Sequence, residues 1–196
     1  MSRFDDRYYQ RFYGPTGVHD RDRIGHLASG VHGLCAWWGV EPQSVLDVGA
    51  GVGLWRDWYR TNHPGIATLS VDISEYACAQ WGHEQHDIAE WQPDEPFDLV
   101  VCHGVVHYLD DDAAAAAMVN LGAATNYVLY LEAPTARDLA EVVDPERTDM
   151  DVFRRSGEWY RERLDPYFAQ AGAGLWVRHG TVTLFELEGT SRRDPS

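Results

Sequence analysis

The chain has 196 residues, with 16 Lys and Arg set against 31 Asp and Glu for a formal net charge of -15. That balance offers no basic face to neutralise phosphates, so it argues against nucleic acid or an anionic membrane surface as partner; Arg154 with Arg155 is the one clustered basic spot. A hydrophobic content of 44% over this length supports one buried core, so residues 1–190 read as a single domain and the polar stretch 191–196 as a flexible tail.

Cys35, Cys78 and Cys102 lie far apart without CxxC spacing, which suits a reducing compartment, and the N-terminus has no apolar signal core. No run of about 18 apolar residues is present, so no membrane span is expected. A cytoplasmic protein, monomeric or homodimeric, is the resulting expectation. Eight Trp and ten Tyr either fill the core or line an apolar pocket for a flat substrate.

In chain order, Ile24, Leu27, Val31 and Leu34 recur at helical spacing over residues 20–40, with Asp20 as cap. Residues 44–48 form a short apolar strand that runs into a glycine loop, and 54–60 continue as a helix stopped by Pro64-Gly65. A second strand covers 67–73, with Ser74 capping a short helix. Residues 97–102 make another buried strand. Asp110, Asp111 and Asp112 then start an alanine-rich helix, and 127–132 form the next strand. Strands separated by helices imply a parallel sheet with right-handed crossovers. Residues 158–171 read as a helix capped by Ser156. Two β-patterned runs follow, 175–178 and 182–188, and the tight His179-Gly180 turn between them predicts an antiparallel pair.

The most informative stretch is Val45-Leu46-Asp47-Val48-Gly49-Ala50-Gly51-Val52-Gly53-Leu54. It is an apolar strand, three alternating glycines and the start of a helix, a setting in which a ligand can approach the main chain closely. A dinucleotide loop reads GxGxxG; this one reads GxGxG, with Asp47 just before it. A carboxylate there repels a pyrophosphate and suits a cationic amino-acid moiety. Asp72 ends the second strand at about the spacing expected of an acid that takes ribose hydroxyls.

These residues resemble the class I S-adenosylmethionine (SAM)-dependent methyltransferases. Residues 47–53 look like the family's first motif, Val71-Asp72-Ile73 like its acidic ribose motif, and Asp87-Ile88 like its adenine-contact position. Phe97 to His103, followed by Val106 to Asp110, looks like the fourth-strand motif. The resemblance implies a Rossmann-like three-layer αβα sandwich with a seven-stranded, mostly parallel sheet in the order 3-2-1-4-5-7-6 and one antiparallel strand. It also implies site roles. Gly49, Gly51 and Gly53 would form the loop packed against the methionine part of SAM, with Asp47 holding its amino group. Asp72 would take the ribose hydroxyls and Ile73 would cover an adenine face. Asp87 and the Ile88 backbone would meet the adenine edge, and Cys102 or His103 would reach the amino group through a backbone carbonyl. Tyr8, Tyr9, Phe12 and Tyr13 resemble the aromatic N-terminal segment that closes over SAM in small members, making residues 1–40 a cap; the alternative is a helix face packed on the sheet.

The sulfonium of SAM makes its methyl group electrophilic already, so alignment of the acceptor carries much of the chemistry and a general base is an addition. His103 and His107 are the candidate bases, placed past the fourth strand at i,i+4 spacing, with Tyr13 or Tyr9 next. They are expected to titrate near neutral pH. His83 and His86 read as surface residues of a short turn, and no metal site is expected. Cys102-His103-Gly104-Val105 replaces the family's Asn/Asp-Pro-Pro-aromatic pattern, which turns the reading away from nucleobases and glutamine amides toward small O- or N-acceptors. Residues 134–156, with Met150, Phe153, Arg154 and Arg155 and then Trp159 and Tyr160, are expected to cap the acceptor pocket or to be a solvated linker. Two other classes stay open: an NAD(P)-dependent oxidoreductase, and a SAM-binding protein without transferase activity.

Overall fold

The computed structural model describes residues 3–13 and 20–189; the tail 191–196 lies outside them. The chain begins with α1 (Asp6–Phe12) and α2 (Arg21–Trp37), the latter capped by the Asp20 carboxylate accepting from Arg23 N–H at 2.7 Å. Next come β1 (Ser44–Val48), α3 (Leu54–Asn62), β2 (Ala67–Asp72), α4 (Glu75–Trp81) and a two-residue β3 (Glu84–Gln85). The second half holds β4 (Phe97–His103), a 3-10 turn (Val106–Tyr108), α5 (Asp111–Ala124), β5 (Thr125–Glu132), α6 (Ala136–Glu141), α7 (Gly157–Leu164), β6 (Phe168–Gly172) and β7 (Leu175–Arg178). Ser74, Asp110 and Ser156 cap the helices behind them, each side chain accepting a backbone N–H of the first turn.

Seven strands form one sheet in the order β3-β2-β1-β4-β5-β7-β6, and only β7 runs antiparallel to its neighbours β5 and β6. Alternation along each strand sends side chains to opposite faces. Leu46, Val48, Val100, Cys102, Leu129 and Leu131 pack with Met118 and Leu121 of α5 and Leu164 of α7. Val45, Leu99, Val101, Val128 and Tyr130 pack with α2 and with Trp55 and Tyr59 of α3. Helices cover both faces, giving the three-layer arrangement expected of the sequence.

The hairpin differs from the expected one. Residues 182–188 form no strand. The partner of β7 is β6, pairing Phe168 with Arg178, Ala169 with Val177 and Gln170 with Trp176, and the turn is at Ala173-Gly174 with φ of 50° and 80°. The helix foreseen to 171 therefore stops at Leu164. Its Ala, Gln and Gly residues carry little strand preference of their own, and the edge position beside β7 overrides that local preference. His179 N–H closes the hairpin on the Tyr167 carbonyl at 3.0 Å. Beyond it the chain returns along α2, where Glu188 accepts from the indole N–H of Trp37 and of Trp38. Among the described residues no helix is long and apolar enough to cross a membrane.

Candidate active site

The parallel strands β1, β2, β4 and β5 end on one edge of the sheet at Val48, Asp72, His103 and Glu132, the edge where ligands bind in folds of this topology. The glycine loop leaves β1 and ties itself to β2: Gly49 and Ala50 N–H both donate to the Val71 carbonyl, at 2.8 and 3.1 Å. Gly49 has φ +65°, and a Cβ there would collide with the side chain of Val105. Gly51 has φ +57°, and its N–H donates to Asp72 Oδ2 at 2.9 Å. Asp72 Oδ1 accepts from Ser74 N–H at 2.8 Å. One carboxylate thus fixes the loop and the start of α4 and still has lone pairs for further donors.

Two adjoining lobes run over this loop. The first is lined by Tyr13, Ile24, Asp47, Gly49, Trp55 and His103 among others. The second is lined by Phe4, Tyr9, Tyr13, Gly51, Asp72 and Ile73 among others. Gly49 and Tyr13 belong to both, so the lobes form one trough with a carboxylate at each end. Asp47 is only 3% exposed, and burial pushes its carboxyl up to about 7 despite the Arg56 N–H that donates to it at 3.2 Å. Burial also raises Asp72, against the pull of the Ser74 and Gly51 N–H groups. A desolvated carboxylate held above its ordinary range is relieved by a cation. The Asp47 end therefore fits an ammonium group and the Asp72 end fits hydroxyl donors.

The helix α1 roofs the trough rather than packing on the sheet. Tyr9 is buried, stacks on Tyr76 at 5.8 Å and meets Trp81 edge-on, and the Phe4 carbonyl accepts from the Ser74 hydroxyl at 2.6 Å. The Tyr13 hydroxyl stands 3.4 Å from where a Gly51 Cβ would be. Burial raises the phenols of Tyr8, Tyr9 and Tyr13 well above their ordinary range.

A third cavity opens beside the trough and shares Tyr8, Tyr13, Gly104 and Tyr108 with it. Its far wall is His107, Glu132, Pro134, Arg147, Thr148 and Asp149. Residues 134–156 thus do reach a cavity, through Pro134 and 147–149 rather than through the side chains singled out from the sequence. Arg155 is no surface charge: at 4% exposure it donates to Asp111 Oδ1 and to the carbonyls of Val106 and Leu109.

The two candidate bases do not share a helix face, because β4 ends at His103 and Gly104 turns the chain at φ +73° before the 3-10 turn. His103 Nδ1 accepts from Trp55 Nε1–H at 3.0 Å, and its Nε2 contacts the Glu132 carboxylate. With Nδ1 accepting, Nε2 carries the proton on the side that faces the Glu132 carboxylate. His107 is 6% exposed, and its Nδ1 has no partner among the described residues. Its imidazole does not titrate near neutral pH as expected: burial lowers it to about 4, against the opposing charge of Glu132 and Asp149.

Other positions fall away from the trough lining. Asp87 accepts from Ala89 N–H at 2.9 Å, and the Ile88 side chain lies in the core with its carbonyl accepting from Asn120. Cys102 is fully buried inside the sheet, and Gly53 caps α3 behind the loop. Sequence reasoning missed His83, which is no surface residue at 7% exposure: its Nε2 meets the Gly51 carbonyl at 3.0 Å and its Nδ1 meets Ser70 Oγ at 2.8 Å. The one local sign was Gly82, which ends α4 in a left-handed conformation and turns the chain inward. Glu132 was missed as well, since it reads as an ordinary strand end.

Comparison with known proteins adds a family. A family model described as a methyltransferase domain matches residues 19–180. No curated protein sequence matches the chain. Among solved structures, an S-adenosylmethionine-dependent methyltransferase from Clostridium acetobutylicum superposes with a TM-score of 0.61 at 14% identity, covering 81% of this chain and 84% of that one. The N-methyltransferase NodS from Bradyrhizobium japonicum, in complex with S-adenosyl-L-homocysteine, gives 0.60 at 13% identity, over 91% of this chain and 100% of that one. SAM-bound CalS10, an amino pentose methyltransferase from Micromonospora echinaspora, gives 0.61 at 14% identity, over 87% and 96%. At these identities the structures speak for the fold.

Proposed function

The chain belongs to the methyltransferase-domain family and takes S-adenosylmethionine as its methyl donor, and we propose that the acceptor is a small molecule methylated on oxygen or nitrogen. The observation that carries this is the trough with Asp47 at one end, Asp72 at the other and a separate cavity opening beside it. SAM supplies a methyl group already activated on a sulfonium. In this reading Asp47 and a backbone carbonyl of Cys102 or His103 hold the ammonium of its methionine part, and Gly49 and Gly51 admit the chain, with Gly53 turning it into α3. Asp72 takes the ribose hydroxyls, Ile73 covers the adenine, and the Asp87-Ile88 segment meets its edge after adjustment. Tyr9 and Tyr13 close the roof and exclude water. A nicotinamide-dependent oxidoreductase is not retained, because the family match is to methyltransferases and a pyrophosphate would face the Asp47 carboxylate. Three free thiols and the acidic surface support a cytoplasmic protein without nucleic-acid partners.

Calorimetry with SAM tests the site. Asp72→Ala is expected to weaken binding by about 100-fold or more, since it removes the ribose acceptor and also the two N–H bonds that set the loop. Gly51→Val is expected to block the trough by bulk and by its positive φ. Wild-type affinity in both variants sinks the assignment.

Proton removal from the acceptor is assigned in the same reading to His107 first, then His103 or Tyr13. His107 is neutral throughout the physiological range, so it is ready to accept, yet a base this weak gives less help than one matched to neutral pH. His107→Ala is expected to lower turnover by about 10²-fold, the low end of the usual range, with SAM affinity kept. If His107→Ala and His103→Ala both turn over at the wild-type rate, alignment alone suffices and neither histidine is a catalytic base.

A further inference from the structure

Behind the glycine loop, on the side away from the trough, lies a buried polar cluster of His83, Ser70 and Arg56. His83 stands between Gly82 and β3, and the parallel pairing of β3 with β2 brings it beside Ser70. Its Nε2 lies 3.0 Å from the Gly51 carbonyl. Its Nδ1 lies 2.8 Å from Ser70 Oγ and 3.2 Å from Arg56 Nη1. From this geometry, and resting on the SAM site proposed above, we propose that His83 is a positioning residue for the cofactor. Its Nε2–H holds the Gly51 carbonyl and so keeps the glycine loop in the shape that SAM requires.

The contacts of the ring set its tautomer. A guanidinium donates and cannot accept, so the Nδ1 that faces Arg56 must present its lone pair. A carbonyl accepts and cannot donate, so the Nε2 that faces Gly51 must carry the proton. One neutral form meets both demands, and a second proton on the ring would aim an N–H at the guanidinium. Arg56 is itself fixed, donating to Asp57 Oδ1 from Nε and Nη2 at 3.0 and 2.8 Å and to the Trp81 carbonyl from Nη1. Burial holds the His83 imidazole below its ordinary range. The charge of Arg56 on α3 acts the same way, against the Gly51 carbonyl, Asp72 of β2 and Asp57 of α3. At neutral pH the ring is therefore a fixed donor to the loop.

Glycine makes the turn possible and also leaves the backbone free to rotate, since a residue without a Cβ has little preference between the two signs of φ. Gly51 is pinned on both sides, its N–H by Asp72 Oδ2 at 2.9 Å and its carbonyl by His83. Without the second contact the Gly51–Val52 peptide turns at little cost, and the Asp72 carboxylate loses the fixed partner that orients it. Gly53 belongs to the same arrangement. A Cβ there would lie 2.6 Å from Arg56 Nη2 and 3.4 Å from His83 Cε1, so the third glycine makes room for the pair. Affinity falls in proportion to the fraction of molecules in the binding-competent shape. A loop that keeps this shape in about one molecule in ten binds about 10-fold more weakly.

Calorimetry with SAM on the intact protein, alongside thermal melting, compares His83→Asn with His83→Gln. Asparagine reaches only as far as the Nδ1 position, so it offers an oxygen to Ser70 and Arg56 and nothing to Gly51. Glutamine reaches the Nε2 position, offers an N–H to Gly51 and gives up the acceptor at Nδ1. His83→Asn is expected to bind SAM about 10-fold more weakly. It is also expected to melt at the higher temperature of the two, because a hydrogen bond to a charged group is worth more than a neutral one. His83→Gln is expected to melt lower and to bind SAM near wild type. A purely structural role would instead make affinity follow melting temperature. The wild type supplies a measurement that needs no variant. NMR of its isotope-labelled imidazole nitrogens at neutral pH is expected to show the His83 proton on Nε2, with and without S-adenosylhomocysteine. Wild-type affinity in His83→Asn, affinities that follow the melting temperatures, or a proton on Nδ1 each overturn the positioning role and leave the SAM site standing. A wild-type protein that binds no SAM overturns the site itself, and this inference with it.

Discussion

Asp47→Asn is expected to abolish SAM binding and, at the same pH, to make the ligand-free protein more stable. The carboxyl of Asp47 is 3% exposed, and burial carries it from 3.8 to about 7. A folded-state value above the unfolded one means that the native protein holds this proton more tightly than the unfolded chain. The stabilising contribution is therefore complete below about pH 4 and is lost as the pH rises toward about 7. Above that, keeping the group ionised costs roughly 3 pKa steps of about 1.4 kcal/mol each, on the order of 4 kcal/mol. Asparagine keeps an oxygen for the Arg56 N–H and has nothing to ionise. Thermal melting at pH 8 is expected to rise in the variant, and the difference from wild type to shrink toward pH 5. The cost serves binding, because an ammonium seated against the carboxylate recovers what desolvation took. In the wild type, SAM affinity is expected to fall as the pH drops below about 7, where the carboxylate takes up its proton. A variant no more stable than wild type at pH 8, or one that binds SAM normally, defeats the argument.

The features that specify Asp47 and Asp72 are short in sequence, which is why they are legible there. The strand, the glycines and the following helix are contiguous, and the positive φ of Gly49 and Gly51 favours a residue without a Cβ. The strand-end acid Asp72 follows from the same local pattern. The caps at Asp20, Ser74, Asp110 and Ser156 are equally local and stand where the sequence puts them. What the pattern misses is set by contacts between distant residues. Residues 168–172 have helical composition and become a strand only because β7 is alongside. The value near neutrality expected for His107 ignores the desolvation that only the folded cavity imposes. His83 reaches Gly51 across 32 positions, and Glu132 comes to face His103 through the pairing of β4 with β5. No periodicity in the sequence marks such pairs.

Arg155 is the distant contact with the largest expected effect on stability. Its guanidinium donates to Asp111 Oδ1 at 2.8 Å, to the Val106 carbonyl at 3.1 Å and to the Leu109 carbonyl at 2.5 Å, and it lies 4.7 Å from the centre of the Trp159 ring. Its own carbonyl accepts from Ala136 N–H, and the neighbouring Phe153 N–H donates to the carbonyl of His107. One side chain thus joins the 3-10 turn that carries His107, the first turn of α5 and the segment leading into α7. Arg155→Met keeps much of the apolar stem but leaves the Val106 and Leu109 carbonyls without these donors. Hydrogen bonds to a charged group are worth about 1.5–3 kcal/mol each, and partial relaxation returns some of that, so a loss of about 3 kcal/mol is expected. For a chain of this size that is a drop of about 6–12 °C in melting temperature. Lysine is expected not to rescue it, since an ammonium cannot present the three-way fork. The glycine loop is held separately, by Asp72 and His83, so SAM affinity should stay near wild type while turnover falls with the loosened His107 turn. A Lys variant as stable and as active as wild type would show that charge alone matters at this position and that the fork does not.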